Sequence, residues 1–155
     1  MQGKIQFGQK QLNHWLSSGR GETKLKDITE IMDMLDWSNP PDVQLQGRLL
    51  AKNIENLAWL MQPLTPKRSK SIWENCAIII ADKDDLMLEP YLTEMFEWLQ
   101  DMNWPGAFLI WERLGRMSKE SLQFAYEASL EKAIQTDDEC WKDNLLDFWK
   151  EIEAK

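Results

Sequence analysis

The 155 residues are 43% hydrophobic and carry a formal net charge of −8, with +4 on residues 1–26 and the acid surplus on residues 27–155. A chain of this length can bury about 70% of the surface that its unfolded form exposes, so we expect one domain with a real core. An acidic body repels phosphate backbones, which argues against nucleic-acid binding.

Residues 1–22 are basic, and they contain four of the seven glycines. Terminal segments of this kind pack weakly, so we expect a separate N-terminal segment that is either flexible or a peripheral helix. The single histidine, His14, lies in this segment and is interpreted as a surface residue. Residues 23–155 are expected to form one helical domain.

Apolar residues at helical spacing predict a first helix over residues 24–36. The turn that follows contains Trp37 and the pair Pro40-Pro41, and Asp42 is predicted to cap the second helix. Residues 57–61 extend the apolar stripe of this helix, either in a new helix or in the same helix after a bend.

Ser71–Glu74 and Thr136–Glu139 have the form of a capping box, in which a hydroxyl and a carboxylate each bind a backbone N–H at the start of a helix. These two motifs predict helices that begin near residues 71 and 136. A further helix is predicted to begin at Ser118.

The clearest motif is EWLQDMNWPGAFLIWERL at residues 97–114. It begins with the end of an apolar helical face, and a turn follows from Asp101 to Trp104. Pro105 lacks a backbone N–H and has a fixed φ, so it is predicted to begin the second helix. Two helices joined by so short a turn lie antiparallel, and they need neighbours to bury both of their apolar faces.

The second helices of such pairs are predicted to begin near residues 43, 70, 105 and 138, at intervals of about 27, 35 and 33 residues. Intervals of this size are typical of stacked helix pairs. The sequence therefore predicts an all-α fold in the form of an α-solenoid of about four antiparallel helix pairs, a HEAT- or armadillo-like superhelix.

Residues 99–117 resemble a HEAT-type repeat, because an Asp-containing turn precedes a helix that ends Leu-Gly-Arg-Met. More narrowly, EWLQDMNWPGA at residues 97–107 is similar to the signature of an uncharacterised family of small bacterial HEAT-like domains. The resemblance covers roughly residues 27–117, fades over the last helix pair and implies no catalytic residues. Many HEAT repeats carry a basic residue six positions after the turn Asp, where this chain has Ala107, so the resemblance does not imply a stacked Asp–Arg ladder.

Four turn residues are candidates for a functional role, namely Trp37, Asp101, Asn103 and Trp104. For Asp101 and Asn103 the alternative to a catalytic pair is structural, and we expect them to satisfy N–H groups at the start of the following helix. The two tryptophans lie in turns, where burial is less automatic than on a helical face. They mark an interaction site if they are exposed, and otherwise they cover the seam between repeats.

No cofactor or metal is expected, because the acidic run Asp82–Asp85 lacks the glycine and glutamate spacing of an EF-hand loop. Cys76 lies on an apolar helical face and is predicted to be a buried free thiol. The N-terminal residues lack the apolar stretch of a signal peptide, and no stretch is apolar enough to span a bilayer. We therefore expect a cytoplasmic protein without membrane contact.

These features favour a non-enzymatic module that binds another protein along a groove between helices. One concrete version is an immunity or antitoxin-like role, in which an acidic domain covers a basic partner. Two other classes stay open from the sequence: a HEAT-like nucleic-acid-processing enzyme, which needs a basic face, and a structural or regulatory domain without a strong ligand. The sequence does not indicate the oligomeric state.

Overall fold

The computed structural model describes residues 27–64 and 69–155, and every regular element in these two ranges is helical. The α-helices are α1 (Ile28–Met34), α2 (Pro41–Ala51), α3 (Trp73–Ala81), α4 (Asp85–Leu88), α5 (Leu92–Glu97), α6 (Ala107–Gly115), α7 (Lys119–Gln135) and α8 (Glu139–Glu153). Short 3-10 helices lie at Leu57–Leu60, Lys70–Ile72, Glu89–Tyr91 and Trp98–Gln100. The prediction of an all-α fold is confirmed. The predicted N-terminal segment, residues 1–22 with His14, lies outside the described residues.

The starts of the two longest helices follow their capping side chains. Ser118 caps α7 as predicted, since its hydroxyl accepts from the N–H of Ser121 at 3.1 Å. The capping box predicted at Thr136 is wrong, because Asp138 caps α8 by accepting from the N–H of Trp141 at 3.0 Å. The hydroxyl of Thr136 instead donates backwards to the carbonyl of Lys132.

The predicted caps of α2 and α3 are also wrong. Pro40 precedes α2, and Asp42 lies inside the first turn, where its charge still interacts favourably with the helix dipole. α3 has no side-chain cap, since the hydroxyl of Ser71 donates to the carboxylate of Asp36 at 2.6 Å. Residues 57–61 do not continue α2, because the chain forms the separate 3-10 helix Leu57–Leu60 there.

α6 begins at Ala107, two residues later than predicted, because Pro105 lies within the turn. The residue before α6 is Gly106, which has a φ of 87°. A Cβ atom at this position would lie 2.6 Å from the Cβ of Ala77 and 3.0 Å from the carbonyl oxygen of Trp73. Glycine therefore permits both the left-handed backbone and the close approach of the turn to α3.

Four helices contact one another in chain order: α2 contacts α3, α3 contacts α6, and α6 contacts α8. In addition, α5 contacts α7, α1 packs with α2, and α7 packs with α8. Phe96 and Phe148, both fully buried, meet edge to face with ring centres 5.5 Å apart in the core between the last two pairs. Trp111 is half-buried against Phe148, so it is not wholly a core residue.

Candidate functional site

The turn before α2 and the turn before α6 both contact the 3-10 helix Lys70–Ile72. The N–H of Trp37 donates to the carbonyl of Ser71 at 3.1 Å. The Nζ atom of Lys70 lies 5.3 Å from the ring centre of Trp104. The structure therefore brings the turn before α2 and the turn before α6 to one edge of the molecule.

The two candidate tryptophans differ in exposure. The side chain of Trp37 is 56% exposed. Trp104 is half-buried, and its ring meets that of Trp73 edge to face at 5.4 Å. Trp104 thus covers the seam between α3 and the turn, whereas Trp37 retains an open aromatic surface.

Asp101 and Asn103 form a local turn. The Oδ1 atom of Asp101 accepts from the N–H of Asn103 at 2.8 Å, and no side chain caps α6. The prediction that these residues satisfy the N–H groups at the start of α6 is therefore wrong. Their bond holds the turn itself, four residues before the helix.

Asp36 links the first turn to the element before α3. Its Oδ1 atom accepts from the N–H and hydroxyl of Ser38 at 2.9 and 2.7 Å, and its Oδ2 atom accepts from Ser71. The hydrogen bonds from Ser71 and then Ser38 lower the pKa of Asp36 below its ordinary value, because they stabilise the carboxylate. The charged form of this side chain is the one that organises the turn.

Sequence reasoning missed Asn75, which is buried on α3. Its Nδ2 atom donates to the carbonyl of Leu35 at 2.6 Å, and its Oδ1 atom accepts from Arg48 at 2.6 Å. Asn144 on α8 makes the equivalent bond two predicted helix pairs further along, donating to the carbonyl of Leu99 at 2.8 Å. A single amide inside the apolar run of residues 72–80 was the available signal.

Arg113 was also missed, and it joins α6 to the start of α4. Its side chain is buried, and its Nη2 atom donates to the carbonyl of Lys83 at 2.8 Å and to Asp85 at 2.6 Å. Within the part of the chain that the structure describes, its Nε atom has no hydrogen-bond partner. Arg113 therefore links two helices through an Asp–Arg pair, although the HEAT resemblance did not imply a stacked Asp–Arg ladder.

One concave feature of the described residues is an open groove of about 1060 Å³ between α2, α3 and the start of α4. Its apolar lining comes from Leu45, Leu49, Ile54, Ile78, Ile79 and Met87. Leu45 is 48% exposed, and Ile78 and Met87 are each 37% exposed. The sequence alone did not indicate this groove, because its walls come from different helix pairs.

The cations of the groove are more buried than its carboxylates. Its cations are partly or fully buried and bonded to the chain: Arg48 to Asn75, Lys52 to Asp82 at 3.5 Å, and Lys83 to the carbonyl of Lys52 at 3.0 Å. Its carboxylates, those of Glu55, Asp82 and Asp84, are exposed. The charge that faces solvent at the groove is therefore mainly negative.

Neither the cysteines nor the acidic side chains form a reactive cluster in the described ranges. Cys76 is buried and free, as predicted, and burial raises the pKa of its thiol to about 12. Asp84 caps α4 by accepting from the N–H of Met87, and Asp85 pairs with Arg113. Among residues 27–64 and 69–155, no group of three or more His, Cys, Asp or Glu residues is placed to hold a metal ion.

The structure defines an all-helical domain of packed helix pairs. The profile of the DUF5071 family, described as a domain of unknown function, matches residues 74–153, which is just over half of the chain, and the protein belongs to this family. The match includes the last helix pair and leaves out residues 27–73, so the predicted extent of the resemblance is wrong at both ends.

No curated protein and no solved structure matches the chain. None of the described helices is long and apolar enough to cross a membrane.

Proposed function

We propose that this protein is a cytoplasmic, non-enzymatic module that binds a basic protein partner. The observation that carries the proposal is the charge of the chain, which has 26 Asp and Glu against 18 Lys and Arg, a net −8, with −12 on residues 27–155. Such a surplus attracts a positively charged partner at long range and repels phosphate backbones.

The five lysines of the last helix pair are already included in this net charge, and each is engaged by an acceptor of the chain. Four of them lie within 4 Å of a carboxylate, and the fifth donates to a backbone carbonyl: Lys119 with Glu153, Lys132 with Glu97, Lys142 with Glu139, Lys150 with Asp147, and Lys155 with the carbonyl of Gly115. Glu120 and Asp143 are exposed, and neither forms an ion pair within 4 Å among the described residues. Carboxylates of this kind remain available to a partner.

We also propose that the helix pairs stack as an α-solenoid of about four pairs, in the manner of HEAT or armadillo repeats. The ordered contacts of α2, α3, α6 and α8 support this arrangement. The repeated amide bond, from Asn75 to Leu35 and from Asn144 to Leu99, supports it as well. Solenoids present a continuous helical surface, which stacked-repeat proteins commonly use to bind other proteins.

An immunity or antitoxin-like role is the concrete form that we favour, with this domain covering a basic toxin-like protein. Complementary charge would speed the encounter of the two proteins and make its rate sensitive to salt. The two rival functions predict different ligands: a nucleic-acid-processing enzyme would bind DNA or RNA, and a structural or regulatory domain would bind no ligand strongly.

The test is capture from the source cells with the tagged full-length protein, crosslinked before lysis and washed at low or high salt. We expect a protein of high isoelectric point that is retained at low salt and is lost when the surface acids are neutralised in Glu120→Gln/Asp143→Asn. A variant with the same change of charge in the groove, Glu55→Gln/Asp82→Asn, compares the two surfaces. Recovery of nucleic acid, confirmed by a gel shift at low ionic strength, or recovery of no ligand would overturn the proposal.

A further inference from the structure

We infer that the groove between α2, α3 and α4 binds an amphipathic α-helix of a protein partner, with its apolar side chains in the groove and Lys or Arg along its edges. The inference rests on the proposed function, since it assumes a basic protein partner. It adds the place of contact, the secondary structure of the bound segment and the pattern of its side chains.

The apolar side chains provide the first argument. Leu45 on α2 and Ile78 on α3 project into the groove from its two walls, and Met87 lines it from α4. All three remain at least 37% exposed, and the neighbouring Leu86 is 78% exposed. A row of exposed apolar side chains between two packed helices is the surface that an amphipathic helix covers when it binds in a groove.

The dimensions provide the second argument. α2 has 11 residues, so the wall that it forms is about 16 Å long at 1.5 Å per residue. That length matches about three turns of a bound helix, which would present apolar residues at positions i, i+3, i+4 and i+7. The volume of about 1060 Å³ is open on one side, as a groove for a helix must be.

The charges of the groove favour a basic helix over a second copy of this chain. The most exposed charges of the groove belong to carboxylates such as Glu55 and Asp84, whereas Arg48 and Lys83 are bonded within the chain and Lys52 pairs with Asp82. A helix with Lys or Arg beside its apolar face would place these cations against the carboxylates. A second copy of this chain would instead bring one acidic body, net −12 over residues 27–155, against another.

The test uses fluorescein-labelled peptides of about 18 residues, long enough to form a helix on the protein. The first peptide contains Leu at i, i+3, i+4 and i+7 and Lys elsewhere, the second has the same composition in a scrambled order, and the third replaces Lys by Glu. Fluorescence anisotropy with the full-length protein should show the first peptide binding at least about tenfold more tightly than the other two. Equal affinity for the first two peptides, or no binding of any of them, would overturn the inference.

Two double variants locate the binding. Leu45→Ser/Ile78→Ser removes exposed apolar side chains inside the groove and should weaken binding of the Leu/Lys peptide at least about tenfold. Phe124→Ser/Ile134→Ser removes two apolar side chains on α7 that are more exposed than Leu45 and Ile78 and lie outside the groove, and it should change the affinity less than about twofold. Circular dichroism confirms that each variant is folded. Equal weakening in both variants would mean that the peptide binds without regard to the groove and would overturn the inference.

Two further double variants test the contribution of the groove's carboxylates to peptide binding. Glu55→Gln/Asp82→Asn should weaken binding of the Leu/Lys peptide more than Glu94→Gln/Glu112→Gln, which changes the net charge equally on α5 and α6, outside the groove. A wild-type dimer that becomes monomeric in Leu45→Ser/Ile78→Ser would show that a second copy occupies the groove, and the inference would fail. Capture of a basic partner whose binding Leu45→Ser/Ile78→Ser does not alter would leave the proposed function standing and overturn only the groove.

Discussion

At the scale of single residues, the tightest constraint lies at Gly106, where the turn before α6 presses against α3. Its φ of 87° is unfavourable for other residues, and a Cβ atom would lie 2.6 Å from that of Ala77. Gly106→Ala should therefore lower the free energy of unfolding by roughly 1–3 kcal/mol, from backbone strain and overpacking together.

Urea denaturation measures this loss, with Gly115→Ala as the control. Gly115 lies in α6, and a Cβ atom there would meet only the flexible end of Lys155, at 3.5 Å. That substitution should leave stability unchanged or raise it by up to about 1 kcal/mol, because alanine favours the helix. If Gly106→Ala were no more destabilising than Gly115→Ala, the close approach of the turn to α3 would be wrong.

Two aspartates separate local turn bonds from helix caps. Asp138 caps α8, whereas Asp101 bonds only to the N–H of Asn103 inside its turn. Asp138→Ala should cost about 0.5–2 kcal/mol, the usual range for a lost cap. Asp101→Ala should cost less than about 0.5 kcal/mol, since no helix N–H loses a partner. A larger loss at Asp101 than at Asp138 in chemical denaturation would contradict this assignment.

The two cysteines should differ sharply in reactivity. The nucleophile in thiol labelling is the thiolate, and burial raises the pKa of Cys76 to about 12. At pH 8 the folded protein should therefore react with a disulfide reagent at Cys140 alone, which is exposed. Denaturant should release the second thiol. Rapid labelling of two thiols in the native protein would show that α3 opens on the time scale of the assay.

At the scale of helices and turns, the buried amide of Asn75 is the main polar tie between the first two helix pairs. It joins the carbonyl of Leu35 to Arg48, across 40 and 27 residues of sequence. Asn75→Ala should cost roughly 1–3 kcal/mol, because the carbonyl and the guanidinium each lose a partner away from water.

The neighbouring Glu74 provides the control, since it is exposed on the same helix and Glu74→Ala should change stability by less than about 0.5 kcal/mol. Thermal unfolding followed by circular dichroism compares the two variants. A double-mutant cycle with Arg48→Ala then measures the coupling of Arg48 to Asn75. Absence of coupling would show that water satisfies the guanidinium equally well.

The sequence predicted the helical class and most helices because apolar spacing reports directly which helical face is buried. It failed at three helix starts, although not at Ser118, because a side chain at a helix start has several hydrogen-bond partners within reach. Ser71 fits a capping box, yet it donates to Asp36, which lies 35 residues earlier and close only in the folded protein. The groove was hidden for the same reason: Leu45 and Ile78 belong to different pairs, and only packing places them together.

At the scale of the whole molecule, the net negative charge destabilises the folded state and favours association with a basic partner. Residues 27–155 carry a net −12, and like charges within about 10 Å repel one another at 0.1 M salt. The ion pairs that oppose this repulsion are exposed for the most part, such as that of Lys150 with Asp147, and contribute little each. The compact state should therefore be more stable at higher salt.

Raising NaCl from about 10 to about 300 mM should increase the melting temperature by several degrees, because screening shortens the range of the repulsion. The control is Glu112→Gln/Glu120→Gln, which removes two exposed carboxylates and should show a smaller rise with salt. The Leu/Lys peptide should respond in the opposite direction, binding more weakly as the same salt is added. A melting temperature that falls with salt would mean that ion pairs outweigh repulsion and that the acid surplus is locally compensated. The electrostatic argument for a basic partner would then lose its basis.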